Sequence, residues 1–358
     1  MTGLSEIPEA DLLAWMESQG QPAWRVRQLR RWIIAGRAES FEAMTDMPRN
    51  LRRCLAEEFL PFSTRIEHHS ESPDGTHKLL LKLADGQKVE CVLIQEDKRR
   101  TACISTQVGC GMGCVFCASG LNGVARNLTS GEILEQIVRL RNLLPANGRL
   151  THVVVMGMGE PLANLEPLME ALEIAGAKEG LDIGARHITI STVGLPAKMR
   201  RLADLGKQYH LAVSLHAAND LLRSRIVPTN DKTGLAEILA AADYFLAETG
   251  RQVTFEYVLL RAINDNVEHA RELVQLLKGR RQVHVNLIPF NDVAGLPYRR
   301  PTPEVLDAYV AMLRAEGISV KVRKRKGSAI NAACGQLRRR VETEEGKLGL
   351  KLVTPVMK

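Results

Sequence analysis

The chain has 358 residues, 45% hydrophobic and 25% charged, with a net charge of +7, which is enough for one large folded domain with a smaller companion. Its apolar runs fall short of the roughly 20 residues a membrane helix needs, and the acidic start MTGLSEIPEADLL lacks the basic head and apolar middle of a secretory leader. A membrane-spanning helix is therefore not expected and a cytoplasmic location is, where clustered cysteines point to metal or redox chemistry before a disulfide framework.

Residues 5–60 carry apolar side chains at three-to-four spacing in DLLAWMESQG, AWRVRQLRRWII and SFEAMTDMPRNLRRCLAEEF. The pattern predicts a helical N-terminal domain over residues 1–62. Over 63–100 the period drops to two: TRIEHHSE, HKLLLKLA and KVECVLIQE read as short strands parted by the turn signals SPDGT and ADGQ, a small β extension leading into the core.

From residue 101 a strand–helix unit repeats. RTACIST precedes a helix opened by Thr129, with Glu132 three residues on as a capping box. THVVVMGMGE, HITISTVG, YHLAVSLHA, VTFEYVLL and QVHVNLIPF each precede a further helical stretch. Six units predict an α/β fold with a partial (βα)6 barrel over 101–325, two units short of closure. GMGEPL, STVG, SLHA and PFND fall where strands end, the rim on which such folds gather catalytic groups.

Basic bursts recur, and the segment 321–340 holds eight Lys or Arg and no acid. A single burst such as RVRQLRR is most simply a solvated helix face. The longer stretch, running into a basic C-terminal segment over 326–358, calls for a phosphate-rich partner, so RNA or DNA leads.

The first strand runs into CISTQVGCGMGCVFCASG, with four of the seven cysteines. Cys110, Cys114 and Cys117 are separated by three and then two residues, so three thiolates on one tight loop can hold three corners of an iron–sulfur cube and leave the fourth iron open. A structural zinc site is the rival; it needs four closed ligands, and no histidine lies between His77 and His152. An RNA-binding protein with such a zinc site therefore stands as the alternative to an enzyme.

The three-then-two spacing with Phe116 before the last cysteine resembles the radical S-adenosylmethionine superfamily, whose scaffold is a six-unit partial barrel. Together with MGMGEPLAN, STQVGC and AACGQL, the whole chain resembles the RlmN family of 23S rRNA and tRNA adenine C2-methyltransferases, with the C8-methylating Cfr enzymes close by. The resemblance implies a 4Fe-4S cluster on Cys110, Cys114 and Cys117, and S-adenosylmethionine held by Gly159, Glu160, Ser191, Ser214, Leu215, His216 and Asn291. It implies that Cys334 carries the methyl group and that Cys103 resolves an RNA adduct through a transient disulfide with Cys334. Glu90 matches the family's proton acceptor, although an acid in an alternating strand most often faces solvent. Cys54 and Cys91 match no role and are expected to pack. The implied partners are 23S rRNA and tRNA, with an electron donor such as flavodoxin or ferredoxin, acting on a monomer.

Overall fold

The computed structural model describes residues 1–280 and 282–337. The N-terminal domain is built on α1 (Glu9–Ser18), α2 (Trp24–Ile34) and α3 (Arg49–Glu58). The third helix is half the length its periodicity predicts. Residues 40–48 form turns, and Pro48, with no N–H to give, starts the helix at Arg49. Leu12, Met16, Leu29, Met44, Leu51 and Leu55 are fully or almost fully buried and form the domain's core. Cys54 is half-buried on α3, and Cys91 is buried in the sheet.

Ten strands form one sheet: β1 (Arg65–Glu71), β2 (His77–Lys82), β3 (Lys88–Glu96), β4 (Arg99–Cys103), β5 (His152–Val155), β6 (Ile188–Thr192), β7 (His210–Ser214), β8 (Val253–Leu259), β9 (Val283–Pro289) and β10 (Ser319–Val322). They lie side by side in chain order, antiparallel from β1 to β4 and parallel from β4 to β10. The parallel part is the six-unit barrel. Its strands are followed by α4 (Ser130–Asn142), α5 (Leu165–Gly176), α6 (Pro196–Asp204), the short α7 (Asp220–Ile226) with α8 (Leu235–Thr249), α9 (Val267–Leu277) and α10 (Pro303–Ala315). The capping box of α4 is formed: Glu132 N donates to Thr129 Oγ1 at 3.0 Å, and Thr129 N donates to the Glu132 carboxylate at 3.1 Å.

Two features go beyond the expected plan. β10 is a seventh parallel strand, cut from the start of the basic stretch, and β1–β3 continue the barrel sheet itself. The junction between the N-terminal domain and β1 is fastened to α4 through a buried Glu135, which accepts from Ser63 N at 2.7 Å and Thr64 N at 2.8 Å. The sheet stays open between β10 and β1. The segment after β10 reaches back across that opening, with Gly327 N donating to Asp74 at 2.9 Å and Lys78 Nζ donating to the Asn331 carbonyl at 3.2 Å. Of the basic segment, residues 338–358, including Arg338, Arg339 and Arg340, lie outside the described residues.

Candidate active site

The cysteine loop leaves the barrel from a small hairpin in which Gln107–Gly109 pairs with Val124–Asn127. Cys110 N donates to the Gly123 carbonyl at 3.0 Å and shuts the loop's base, while Cys117 N turns back to the Cys114 carbonyl at 3.1 Å. The three thiols line one cavity of about 160 Å³ at the carboxyl ends of the parallel strands. Burial pushes Cys110 up to about 12 and raises Cys114 and Cys117 as well, with nearby thiols adding to each shift. Loading a metal there must displace protons. Among the described residues no three His, Cys, Asp or Glu side chains converge on a single ion. Three thiols spread around one wall fit a polynuclear cluster that takes one sulfur per iron better than a tetrahedral zinc.

Opposite the loop, the end of β5 is pressed onto the chain that follows Cys103. A Cβ on Gly157 would fall 2.5 Å from Ser105 Oγ, and one on Gly159, where φ is +104°, would fall 2.7 Å from the Gln107 side chain. The contact is tied by Met158 N to Ser105 Oγ at 2.8 Å and Glu160 N to Gln107 Oε1 at 2.9 Å. Glu160 is thereby buried in the cavity wall, its two oxygens accepting from Leu162 N at 3.0 Å and Val193 N at 2.8 Å. Burial raises its carboxyl to about 6, with the hydrogen bonds opposing.

Ser191, Ser214, His216 and Asn291 line the same cavity from the ends of β6, β7 and β9. His216, at φ +63°, turns its ring edge-on to Phe116 with centroids 4.8 Å apart. Its Nδ1 accepts from Val258 N at 3.1 Å, and burial drives its pKa down to about 3, so the neutral ring keeps its proton on Nε2. Leu215 does not reach the cavity. Its side chain is in the core, its N donates to the Glu256 carbonyl at 2.9 Å, and its carbonyl accepts from Arg223 Nε at 3.0 Å. Arg223, 1% exposed, also bonds the Val193 and Ser214 carbonyls at 2.5 and 3.1 Å, and so braces the ends of β6 and β7 together. Nothing in the local sequence NDLLRSRIV marks that role.

Cys334 lies on both this cavity and a larger one of about 580 Å³ extending toward the amino ends of the strands. Its exposed thiol is carried on a loop clamped to the cysteine loop. Ala118 N donates to the Gly335 carbonyl at 2.8 Å, Ser119 Oγ to the Leu337 carbonyl at 2.6 Å, and Asn291 Nδ2 to the Cys334 carbonyl at 3.1 Å. Cys103 lines the larger cavity too, and burial pushes its thiol up to about 12 while the Arg323 charge pulls the other way. Val92 pairs with Cys103, and Leu80 with Glu90, so Glu90, Val92 and Cys103 share one face of the sheet. Glu90 is buried there, not solvent-facing, with Lys78 Nζ 3.0 Å from its carboxylate. Arg99, Arg186, Lys321 and Lys324 give the larger cavity a basic lining. Sequence reasoning also missed Ser105, Gln107 and Lys78, whose partners are remote in the chain.

Residues 104–277 match the radical SAM superfamily, and residues 2–60 match the ribosomal RNA large subunit methyltransferase N-terminal domain. The chain is 56% identical over 325 residues to a probable dual-specificity RNA methyltransferase RlmN of Rhodopirellula baltica, covering 91% of this chain and 87% of that protein. It is 46% identical over 346 residues to the protein of the same description in Symbiobacterium thermophilum, covering 96% and 92%. Among solved structures, that of a radical SAM methyltransferase from Sphaerobacter thermophilus aligns with a TM-score of 0.89 at 43% identity, covering 94% of this chain and 99% of that one.

Proposed function

The chain belongs to the RlmN family of radical S-adenosylmethionine RNA methyltransferases, and from that premise we propose that its target is adenine C2 in 23S rRNA and in tRNA. Its activity is the methylation of RNA, with a 4Fe-4S cluster and S-adenosylmethionine as cofactors. Cys110, Cys114 and Cys117 would hold the cluster, which when bound supplies the one-electron cleavage of S-adenosylmethionine. The Glu160 carboxylate would take the methionine ammonium, Gly159 would let the chain pass close enough to present it, and Ser191, Ser214, His216 and Asn291, which line the same cavity, would orient the rest of the molecule. Leu215 contributes through its backbone from behind that wall.

Adenine C2 and a sulfonium methyl are both electron-poor, so a relay nucleophile must stand between them. Cys334 is that relay and carries the methyl group as a thioether. Once that methyl has given up a hydrogen atom to the one-electron chemistry the cofactors would supply, and its carbon is joined to C2 with one electron handed back to them, RNA and Cys334 are covalently linked. Glu90 takes the C2 proton, and the Cys103 thiolate attacks the Cys334 sulfur. An S–S bond forms, the carbon–sulfur bond breaks, and its electron pair returns to the RNA, where a proton completes the methyl group. One observation carries this division of labour: Cys103 and Cys334 line one cavity, with Glu90 on the sheet face that Cys103 shares.

The enzyme works as a cytoplasmic monomer in this reading, drawing electrons from a flavodoxin or ferredoxin. Mass spectrometry of rRNA and tRNA from a strain lacking the gene tests it. The strain should lose 2-methyladenosine and regain it on complementation; loss of 8-methyladenosine in its place would overturn the choice of C2.

A further inference from the structure

We infer that Glu256 and Arg323 read the edge of the base to be modified. The Glu256 carboxylate accepts from the 6-amino group of adenine, and the Arg323 guanidinium donates to an adjacent ring nitrogen. This rests on the reading of the chain as an adenine methyltransferase and names the residues that set an amino-bearing base apart from guanine and uracil.

Inward residues of β8 descend the barrel in order. Val258 lines the smaller cavity, Thr254 lines the larger one, and Glu256 between them lines both. Glu256 is 4% exposed. Its Oε1 accepts from Asn286 Nδ2 at 2.9 Å and stands 3.6 Å from an Arg323 Nη2, while Oε2 is buried with no hydrogen-bond partner among the described residues. Arg323 follows β10 and is anchored by its N to the Leu287 carbonyl at 2.8 Å. It also lines both cavities, and its Nε is likewise buried without a partner among the described residues. Leaving a buried acceptor and a buried donor open is unfavourable in a folded chain. Here the two side chains meet through the 3.6 Å approach of Arg323 Nη2 to Glu256 Oε1, Arg323 Nη2 also reaches Met156 Sδ at 3.2 Å, and both residues line the cavities that Cys334 lines.

An acceptor next to a donor is the complement of adenine, whose 6-amino group adjoins a ring nitrogen acceptor on either edge. Guanine and uracil place a carbonyl oxygen at the corresponding position, against which a carboxylate is repulsive. An enzyme that acts on a base taken out of its stack reads it in this way, by its edge. S-adenosylmethionine also contains an adenine. The pair's place at the junction, beside the thiols that handle RNA carbon, favours the RNA base.

The experiment measures binding of the cluster-loaded enzyme to one RNA hairpin carrying adenosine, purine riboside (which lacks the 6-amino group) or inosine at the target position, together with the methylated product formed. The wild-type enzyme should prefer adenosine to purine riboside by about tenfold or more. In Glu256→Gln the amide oxygen can keep the Asn286 bond while the amide nitrogen replaces the open acceptor, so that preference should vanish and inosine should bind better than it does to the wild type. Arg323→Lys should weaken adenosine and purine riboside together and keep the preference between them. S-adenosylmethionine affinity, measured by equilibrium dialysis, should not change in Glu256→Gln. Equal weakening of all three RNAs by Glu256→Gln, or a loss confined to S-adenosylmethionine, would overturn the inference. A wild-type enzyme that leaves the adenosine hairpin unmethylated would instead overturn the functional reading beneath it.

Discussion

Lys78 Nζ stands 3.0 Å from the Glu90 carboxylate, and both side chains are almost completely buried. Lys78 also donates to the Asn331 carbonyl, three residues before Cys334, so one ammonium links the carboxylate to the loop that carries Cys334. Removing one member of a buried pair strands the other charge and typically costs about 3–5 kcal/mol. Lys78→Met should therefore lower unfolding stability by about 3 kcal/mol in denaturant titration. Arg53→Gln, which breaks the exposed Arg53–Glu57 pair, should change it little. Equal effects would mean that the Lys78–Glu90 pair is solvated.

The roles proposed for Cys334 and Cys103 separate by where each variant stops. Cys334→Ala should keep its cluster yet transfer no methyl group to RNA. Cys103→Ala should accept the methyl group, join it to the base and stall as a protein–RNA conjugate, seen as a nuclease-trimmed mass on Cys334. Glu90→Ala should stall at a similar stage. Normal turnover by Cys103→Ala, with no conjugate, would return that thiol to a packing role.

Each cluster thiol should be needed on its own. Cys114→Ala, purified without oxygen, should lose the iron content and brown colour of the loaded protein together with S-adenosylmethionine cleavage. A full complement of iron in that variant would contradict the assignment of the three ligands.

Glu160 sets a pH dependence whose sign differs for ligand and fold. Burial raises its carboxyl to about 6 from an ordinary 4.5, so the charge that would meet a methionine ammonium is lost as pH falls through about 6. Affinity for S-adenosylmethionine should drop below that pH, by up to about tenfold per unit. The unliganded fold responds in the other direction. A raised folded-state pKa gives stability that is full below 4.5 and lost as pH rises through about 6. Glu160→Gln should flatten both profiles, read by equilibrium dialysis and by thermal unfolding.

RNA binding should weaken steeply with salt. On single-stranded targets the slope of log K against log salt falls by roughly 0.7 for each phosphate contact removed. Reversing charge at Lys321, Lys324, Arg325 and Lys326 together should reduce that slope by about 3 and lower affinity for all RNA sequences alike. A salt-insensitive complex would remove phosphate contact as the role of this segment.

Legibility followed the range of the interactions. Six strand–helix units, the Thr129 cap and the cysteine spacing are written within short windows, and the structure has them all. β10 was hidden because it is only four residues long, SVKV, and runs straight into the basic stretch, so it read as the start of a charged segment. The missing half of the third helix was hidden because a helical period runs through turns that Pro48 delimits. Arg223, Glu256 and Lys78 were invisible for another reason. Each acquires its meaning from groups on other strands, brought close only by the barrel's register.

The strand order has a consequence for synthesis. Every strand of the sheet pairs with the one made just before it, so the sheet can be laid down edge by edge as the chain leaves the ribosome, with each loop closed before the next begins. Cys334 follows the last strand and is fixed by bonds to Asn291 and to the residues after Cys117. Among the described residues the thiol proposed as the relay is therefore seated last, against walls already built, so a nascent chain would have no finished relay to misfire.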